Sequence, residues 1–126
     1  MRKKIFLGFA VLLISVYGFG QDFSPAKPNV VFSSPGNGEF YVDKQIFLNT
    51  AVRAIMEYFR RYKPEAQIVS ENRGQGTVSY GRYPVTIYVD IPENNKYTIS
   101  IESTVRQAYI DKWIANIEKK IANYLR

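Results

Sequence analysis

The stretch at residues 70–82, SENRGQGTVSYGR, has the residue types of a phosphate-binding loop. A dinucleotide-binding fingerprint requires G-x-G-x-x-G, and a P-loop requires a glycine-rich run that ends in G-K-S or G-K-T. Gly74 and Gly76 supply the first two glycines, but Ser79 occupies the place of the third and no lysine follows. Both motifs also begin a helix, whereas the residues after Gly76 are β-branched and aromatic, which favours a strand. We therefore predict that residues 72–76 form a turn between two antiparallel strands, in which the glycines adopt positive φ.

The sequence contains no histidine and no cysteine, so it lacks the commonest general base and the commonest zinc ligand. This composition excludes Ser-His-Asp triads, cysteine nucleophiles and metal sites built from imidazole or thiolate. Glu71, Asp90 and Glu102 are the acids whose predicted positions would let them act as paired hydrolytic carboxylates. A cross-strand charge pattern that includes Lys96 explains the same acids without any chemistry. We predict no catalytic residue, no metal and no cofactor; the alternative is a small-ligand-binding or hydrolytic protein that uses these surface carboxylates.

A contact surface is the better candidate for a functional site. The chain contains ten tyrosines, and alternation places Tyr88 on the solvent-facing side of a sheet that is rich in short hydroxyl side chains. Such a surface suits contact with a protein or a glycan, although strands favour tyrosine and threonine in any case. Two arginines are expected at an exposed tip or edge of the sheet, where an acidic partner could reach them. The predicted contact surface comprises Arg73, Arg82, Thr86, Tyr88, Thr98 and Ser100.

Residues 1–20 have the organisation of a secretory signal peptide. The chain begins MRKK and continues with an apolar run at residues 5–19, and Gly18 and Gly20 are small residues at the −3 and −1 positions before Gln21. The alternative is a retained membrane anchor, but an apolar helix of this length spans roughly 22 Å, against a hydrocarbon core of about 30 Å. The sequence predicts cleavage between Gly20 and Gln21, so that the protein is periplasmic or secreted and touches the membrane only transiently.

Export changes the charge of the working protein. The full chain has 17 Lys and Arg against 11 Asp and Glu, a formal net charge of +6. The predicted signal peptide contains three of these cations, so its removal leaves a net charge of about +3. The remaining cations are scattered apart from a run at residues 60–63, RRYK, at a predicted helix end, where they complement the helix dipole. Modest, scattered charge on an exported chain predicts no nucleic-acid partner.

The remaining chain divides into a Pro/Gly-rich lead-in at residues 21–42 and a single α+β domain at residues 43–126. Prolines and a Pro-Gly-Asn-Gly turn interrupt regular structure in the lead-in. The alternative for residues 30–32 is a short edge strand. Asp43 is a predicted N-cap for a helix that extends to Lys63, because apolar residues recur at helical spacing and a proline follows.

Alternation of apolar and polar residues predicts the strands that follow the first helix. The strands are expected at residues 66–72, 77–80, 83–91 and 96–104, with a turn or bulge at residues 81–82 and a hairpin turn at residues 92–95. An amphipathic helix follows at residues 106–125, and Trp113 on its apolar stripe is expected in the core. The predicted fold is an α+β two-layer sandwich in the order α-β-β-β-α, in which two helices cover one face of an antiparallel sheet of three to four strands.

The helix that leads into IVSENRGQGTVSY, followed by two alternating strands and an amphipathic last helix, resembles the small BamC-like domains of bacterial envelope proteins. It is also similar to several uncharacterised exported families. The resemblance covers residues 43–126 and implies an envelope protein of two-layer fold, without assigning a role to any residue. BamC is a lipoprotein, whereas this chain lacks the cysteine that would carry a lipid. We predict a non-enzymatic exported protein of the cell envelope that binds another protein or an envelope component.

Overall fold

The computed structural model describes residues 28–126. Six strands and two α-helices follow one another in the order β-β-α-β-β-β-β-α. Their bounds are β1 Val30–Ser34, β2 Asn37–Phe40, α1 Lys44–Tyr58, β3 Glu65–Ser70, β4 Arg73–Tyr80, β5 Tyr83–Glu93, β6 Lys96–Ser103 and α2 Gln107–Tyr124. The predicted signal peptide and the first residues of the lead-in lie outside the described residues.

All six strands form one antiparallel sheet in the spatial order β1-β2-β6-β5-β4-β3. Helix α1 packs over β3 and β4, α2 packs over β6, and the two helices contact each other. A single hydrophobic core joins both helices to the strands beneath them. Both helices therefore cover the same face of the sheet, as the alternation of β5 and β6 predicted.

The predicted sheet of three to four strands in the order α-β-β-β-α is wrong, because the sheet has six strands and two of them precede α1. The two additional strands, β1 and β2, come from residues that the sequence assigned to the lead-in. The alternative of an edge strand at residues 30–32 is the one that the structure has, as part of β1. Strand β2 joins this hairpin to the sheet, since its Asn37 pairs with Thr98 of β6. Pro28 and Pro35 lie just outside β1, so these prolines bound the strand rather than prevent it.

The predicted turn at residues 72–76 is also wrong. Strand β4 begins at Arg73, and the turn is formed by Glu71 and Asn72. Neither Gly74 nor Gly76 has a positive φ. They face α1 instead: a Cβ added at Gly76 would lie 2.7 Å from a methyl carbon of Ile55. The glycines are therefore required because the helix approaches β4 closely, and not because the chain turns there.

Two other turns follow the sequence prediction. Gly81, with a φ of 64°, forms the tight turn between β4 and β5 together with Arg82. Asn95, also with a φ of 64°, lies in the turn between β5 and β6. Asparagine is among the few residues with a side chain that adopt this left-handed conformation readily.

Both helices form near their predicted positions. Asp43 is the N-cap of α1, and its carboxylate accepts a hydrogen bond of 3.0 Å from the backbone N–H of Gln45. Helix α1 ends at Tyr58, earlier than predicted, and a single 3-10 turn follows before the left-handed Lys63. On α2, Trp113 is buried, as predicted, and its ring lies 5.4 Å from that of Phe59 between centroids. Aromatic packing thus joins the two helices over the sheet.

Candidate contact surface on the open face of the sheet

The open face is the side of the sheet opposite the helices. It is defined here by the polar side chains of the three strands β4, β5 and β6. These are Arg73, Gln75, Thr77, Thr86, Tyr88, Asp90, Thr98, Ser100 and Glu102, which are exposed or half-buried. The register pairs Tyr88 with Ser100 and Asp90 with Thr98, so neighbouring strands place these side chains side by side.

Five of the six residues predicted for the contact surface lie together on the open face. They are Arg73, Thr86, Tyr88, Thr98 and Ser100. Arg82 does not join them, because it lies in the turn at the end of β4, where its guanidinium is 5.7 Å from the ring centroid of Tyr83. The open face is thus centred on Tyr88, which lies on an interior strand of the sheet.

Arg73 makes a two-pronged ion pair with the residue opposite it on β5. Its Nε donates to Asp90 Oδ1 at 2.5 Å and its Nη2 donates to Asp90 Oδ2 at 3.1 Å. The hydrogen bond to Asp90 raises the pKa of Arg73 above its ordinary value. The guanidinium also lies 4.5 Å from the ring centroid of Tyr88. Arg73 is therefore neutralised by a neighbour on the same face, and does not present an isolated cation to an acidic partner.

Tyr88 is held from two sides. Arg73 lies over its ring, and its hydroxyl donates a hydrogen bond of 3.3 Å to Glu102 Oε1 on β6. These contacts restrict the side chain before any partner is present. A restricted aromatic side chain loses less conformational entropy on binding than a mobile one does.

The three acids of the alternative hydrolytic reading are engaged in separate contacts. Asp90 binds Arg73, and Glu102 accepts the hydrogen bond from Tyr88. Glu71 lies in the β3–β4 turn, 3.4 Å from Nζ of Lys44 at the start of α1. Within residues 28–126, no group of three or more acidic side chains is placed to hold a metal ion. The structure therefore does not bring the three carboxylates together as one reactive site.

A second charged group lies where β2 meets β6, and sequence reasoning missed it. Nζ of Lys96 is 3.0 Å from Glu39 Oε2, and the hydroxyl of Tyr41 donates to the same carboxylate. The hydrogen bond from Tyr41, followed by that from Lys96, lowers the pKa of Glu39. The group could not be found without β2, since only that strand brings Glu39 next to Lys96.

Glu118 is the one buried charged residue among those described, with 4% of its surface exposed. Its carboxylate accepts hydrogen bonds of 2.6 Å from the hydroxyl of Tyr97 and 3.1 Å from the backbone N–H of Gly36. Burial raises the pKa of Glu118, and the two donors act in the opposite direction. Sequence reasoning missed the burial of Glu118. Its proximity to Ile114, Ile117 and Ile121 along the helix was the available signal.

The grooves beside the open face are shallow and open to solvent. One of about 370 Å³ is lined by Thr77, Thr86 and Lys63 among others, and one of about 180 Å³ lies along β3. Neither contains Asp90 or Glu102. Small-molecule sites are normally concave and enclosed. Neither groove has the enclosed shape of such a site.

Comparison with known proteins finds no matching family model, no matching curated protein and no matching solved structure. Among the helices described, neither is both long enough and apolar enough to span a bilayer.

Proposed function

We propose that the chain is an exported, non-enzymatic binding protein of the cell envelope, which recognises another protein through the open face. One observation carries the proposal: both helices cover the same side of the sheet, and the other side is polar and centred on the half-buried Tyr88. The signal-like N-terminal sequence supports export. A sheet face that no other part of residues 28–126 covers is available to a partner.

The charges of the open face support binding to a large neutral or mixed-charge surface. Arg73 is bound to Asp90 within the face itself. An ion pair that is already formed requires no compensating charge on the partner, and its remaining hydrogen-bonding positions can be shared across an interface. Tyrosine combines a large apolar area with a polar end, and it is enriched at the centres of protein interfaces. Tyr88, restrained by Arg73 and Glu102, has the properties of such an anchor.

In-cell photocrosslinking tests this function. A photoreactive side chain at Ser100, directly opposite Tyr88, should produce a discrete adduct with one envelope protein. The same probe at Lys119, which is exposed on α2, is the control and should not produce that adduct. An adduct pattern that is identical from both positions would contradict the proposal, since it would show only random collisions.

A substitution identifies the residue responsible for the contact. In the Ser100 probe background, Tyr88→Ala should reduce the adduct by about tenfold, as expected for an interface residue whose loss costs roughly 1.4 kcal/mol or more. Tyr83→Ala on the same strand, but facing the other side of the sheet, is the matched control and should leave the adduct intact. Crosslinking that survives Tyr88→Ala unchanged would remove the open face from consideration. Adducts with a polysaccharide only would replace the protein partner by a glycan.

A further inference from the structure

Among the strands of residues 28–126, β1 is one of the two edges of the sheet, and it lacks the charges that commonly protect an edge from other strands. Its sequence, VVFSS, contains no charged residue. Val31 is 43% exposed and Phe32 is 46% exposed. A register shift between Phe32 and Ser34 disturbs only the end of the strand. The first three residues of β1 therefore present a regular, uncharged edge.

The hydrogen-bonding pattern shows which backbone groups of β1 face outward. The N–H of Tyr41 donates to the carbonyl of Asn29 at 2.8 Å, so this pair is hydrogen-bonded across β1 and β2. Along two antiparallel strands, hydrogen-bonded residue pairs alternate with pairs that are not hydrogen-bonded. The N–H and C=O groups of Val31 therefore point toward β2, and those of Val30 and Phe32 point away from it. Phe40, the partner of Val30, accordingly donates its N–H to Asn95 on the side away from β1.

The exposed side chains of β1 lie on both sides of the sheet. Val31 is opposite Glu39 on the open side, where it lines a surface groove of about 500 Å³ together with Pro28 and Tyr41. Phe32 is opposite Gly38, whose missing Cβ would lie against the ring of Tyr97 on the helix-covered side. A strand added at β1 would therefore gain apolar contacts on both sides as well as backbone hydrogen bonds.

We propose that β1 pairs with β1 of a second copy of this chain, antiparallel about a two-fold axis at Val31. In this register Val30 of each copy lies opposite Phe32 of the other, and their outward groups form four hydrogen bonds. A register centred on Val30 would pair Phe32 with Pro28, which has no N–H to donate. A register centred on Phe32 would place Val30 opposite Ser34, where β1 is irregular. The axis at Val31 uses only the regular part of the strand.

A second copy fits this edge because the strand is complementary to itself. Like charges directly opposite each other destabilise a pair of strands, and β1 carries none. The Val31 side chains of the two copies meet at the axis, and Phe32 of one copy contacts Val30 of the other. The result is a continuous sheet of two copies with both open faces on one side. The dimer thus offers two contact surfaces to a partner, although the pairing does not depend on what those surfaces bind.

Concentration-dependent sedimentation of the protein, purified in the form in which the cell exports it, tests the pairing. The protein should change from monomer to dimer as its concentration rises. Val31→Glu places two carboxylates at the axis and should raise the dimer dissociation constant by about tenfold or more. Val69→Glu is the matched control on the opposite edge strand, since Val69 is 46% exposed, and it should leave the dissociation constant unchanged. A mixture of the Val31→Glu and Val31→Lys chains should restore the dimer, which a folding defect would not do.

A disulfide test measures the register directly. The chain has no cysteine, so a single Val31→Cys substitution introduces one reporter per copy. Non-hydrogen-bonded antiparallel pairs hold Cα atoms about 4.5 Å apart, within the range that a disulfide bridges. Mild oxidation should therefore link Val31→Cys chains rapidly, while Val69→Cys chains should link slowly. A wild-type chain that stays monomeric at the highest concentration reached would overturn the proposal. So would equal rates of linkage at the two positions.

Discussion

The helix-covered side of the sheet and the open face are built from the same strands, but their side chains find contacts in different ways. On the covered side, Ile87 and Val89 of β5 are fully buried against the helices. On the open face, Thr86, Tyr88 and Asp90 of the same strand contact residues of neighbouring strands. The covered side is thus fixed by helix packing, whereas the open face is organised by contacts within the sheet itself.

This difference separates the residues that determine folding from those available for function. Removing a buried side chain leaves a cavity that the surrounding residues fill only in part. When a side chain is removed from the open face, water fills the space that it occupied, so the free energy of unfolding changes little. Variants in matched pairs, one from each side of the sheet, therefore measure how sharp this separation is.

The largest difference is expected between two aromatic residues. Phe47 of α1 is fully buried, with its ring 4.3 Å from that of Phe40 between centroids. Phe47→Ala should lower the free energy of unfolding by about 3–5 kcal/mol, because it removes a large side chain from the core. Tyr88→Ala should lower it by about 1 kcal/mol or less. Urea denaturation followed by circular dichroism measures both, and equal losses would remove the distinction between the two sides.

A smaller difference is expected along β4, where adjacent residues face opposite sides. Gly76→Val should destabilise the fold by about 1–3 kcal/mol, because the added side chain would enter the space of Ile55. Thr77→Val faces the open side, is exposed, and should be nearly neutral. The same denaturation experiment applies to both. A stable Gly76→Val variant would show that α1 shifts away from the sheet without cost.

The smallest effect concerns Glu118, a polar residue on the covered side. Burial raises the pKa of Glu118 above its ordinary value of 4.5, so the folded chain retains a proton that the unfolded chain has already released. The free energy of unfolding should therefore fall as pH rises above about 4.5 and through the raised pKa of the folded state. Glu118→Gln cannot ionise, so the wild type should lose stability relative to this variant across that window. Urea titrations at a series of pH values measure the difference, and a constant difference would contradict a raised pKa.

Much of the sheet could be predicted from alternation, because β5 and β6 have clear two-residue periods and each presents one apolar side. The same periodicity placed Thr86, Tyr88, Thr98 and Ser100 on one surface. It could not show that Arg73 pairs with Asp90. That contact depends on β4 beginning at Arg73 rather than at Thr77.

The errors have a common physical cause, which is that glycine and proline have more than one structural role. The sequence predicts that Gly74 and Gly76 turn the chain, whereas their role is to leave space for the side chains of α1. The prolines near β1 predict an interruption of regular structure, whereas they lie at the ends of the strand. The role of the glycines depends on α1, and the role of the prolines depends on β6, to which the β1–β2 hairpin is joined. Both elements are distant in sequence, so a local sequence pattern cannot predict these contacts.

The contact between Gly36 and Glu118 joins residues 82 positions apart. Detachment of the β1–β2 hairpin would remove one of the two donors to a buried carboxylate, so the hairpin and α2 are expected to open together in hydrogen exchange. The contact also cannot form until α2 is present. A chain that folds as it emerges from its N-terminus would therefore make this contact only after α2 has emerged. Helix α2 thus helps to fix the β1–β2 hairpin to the rest of the domain.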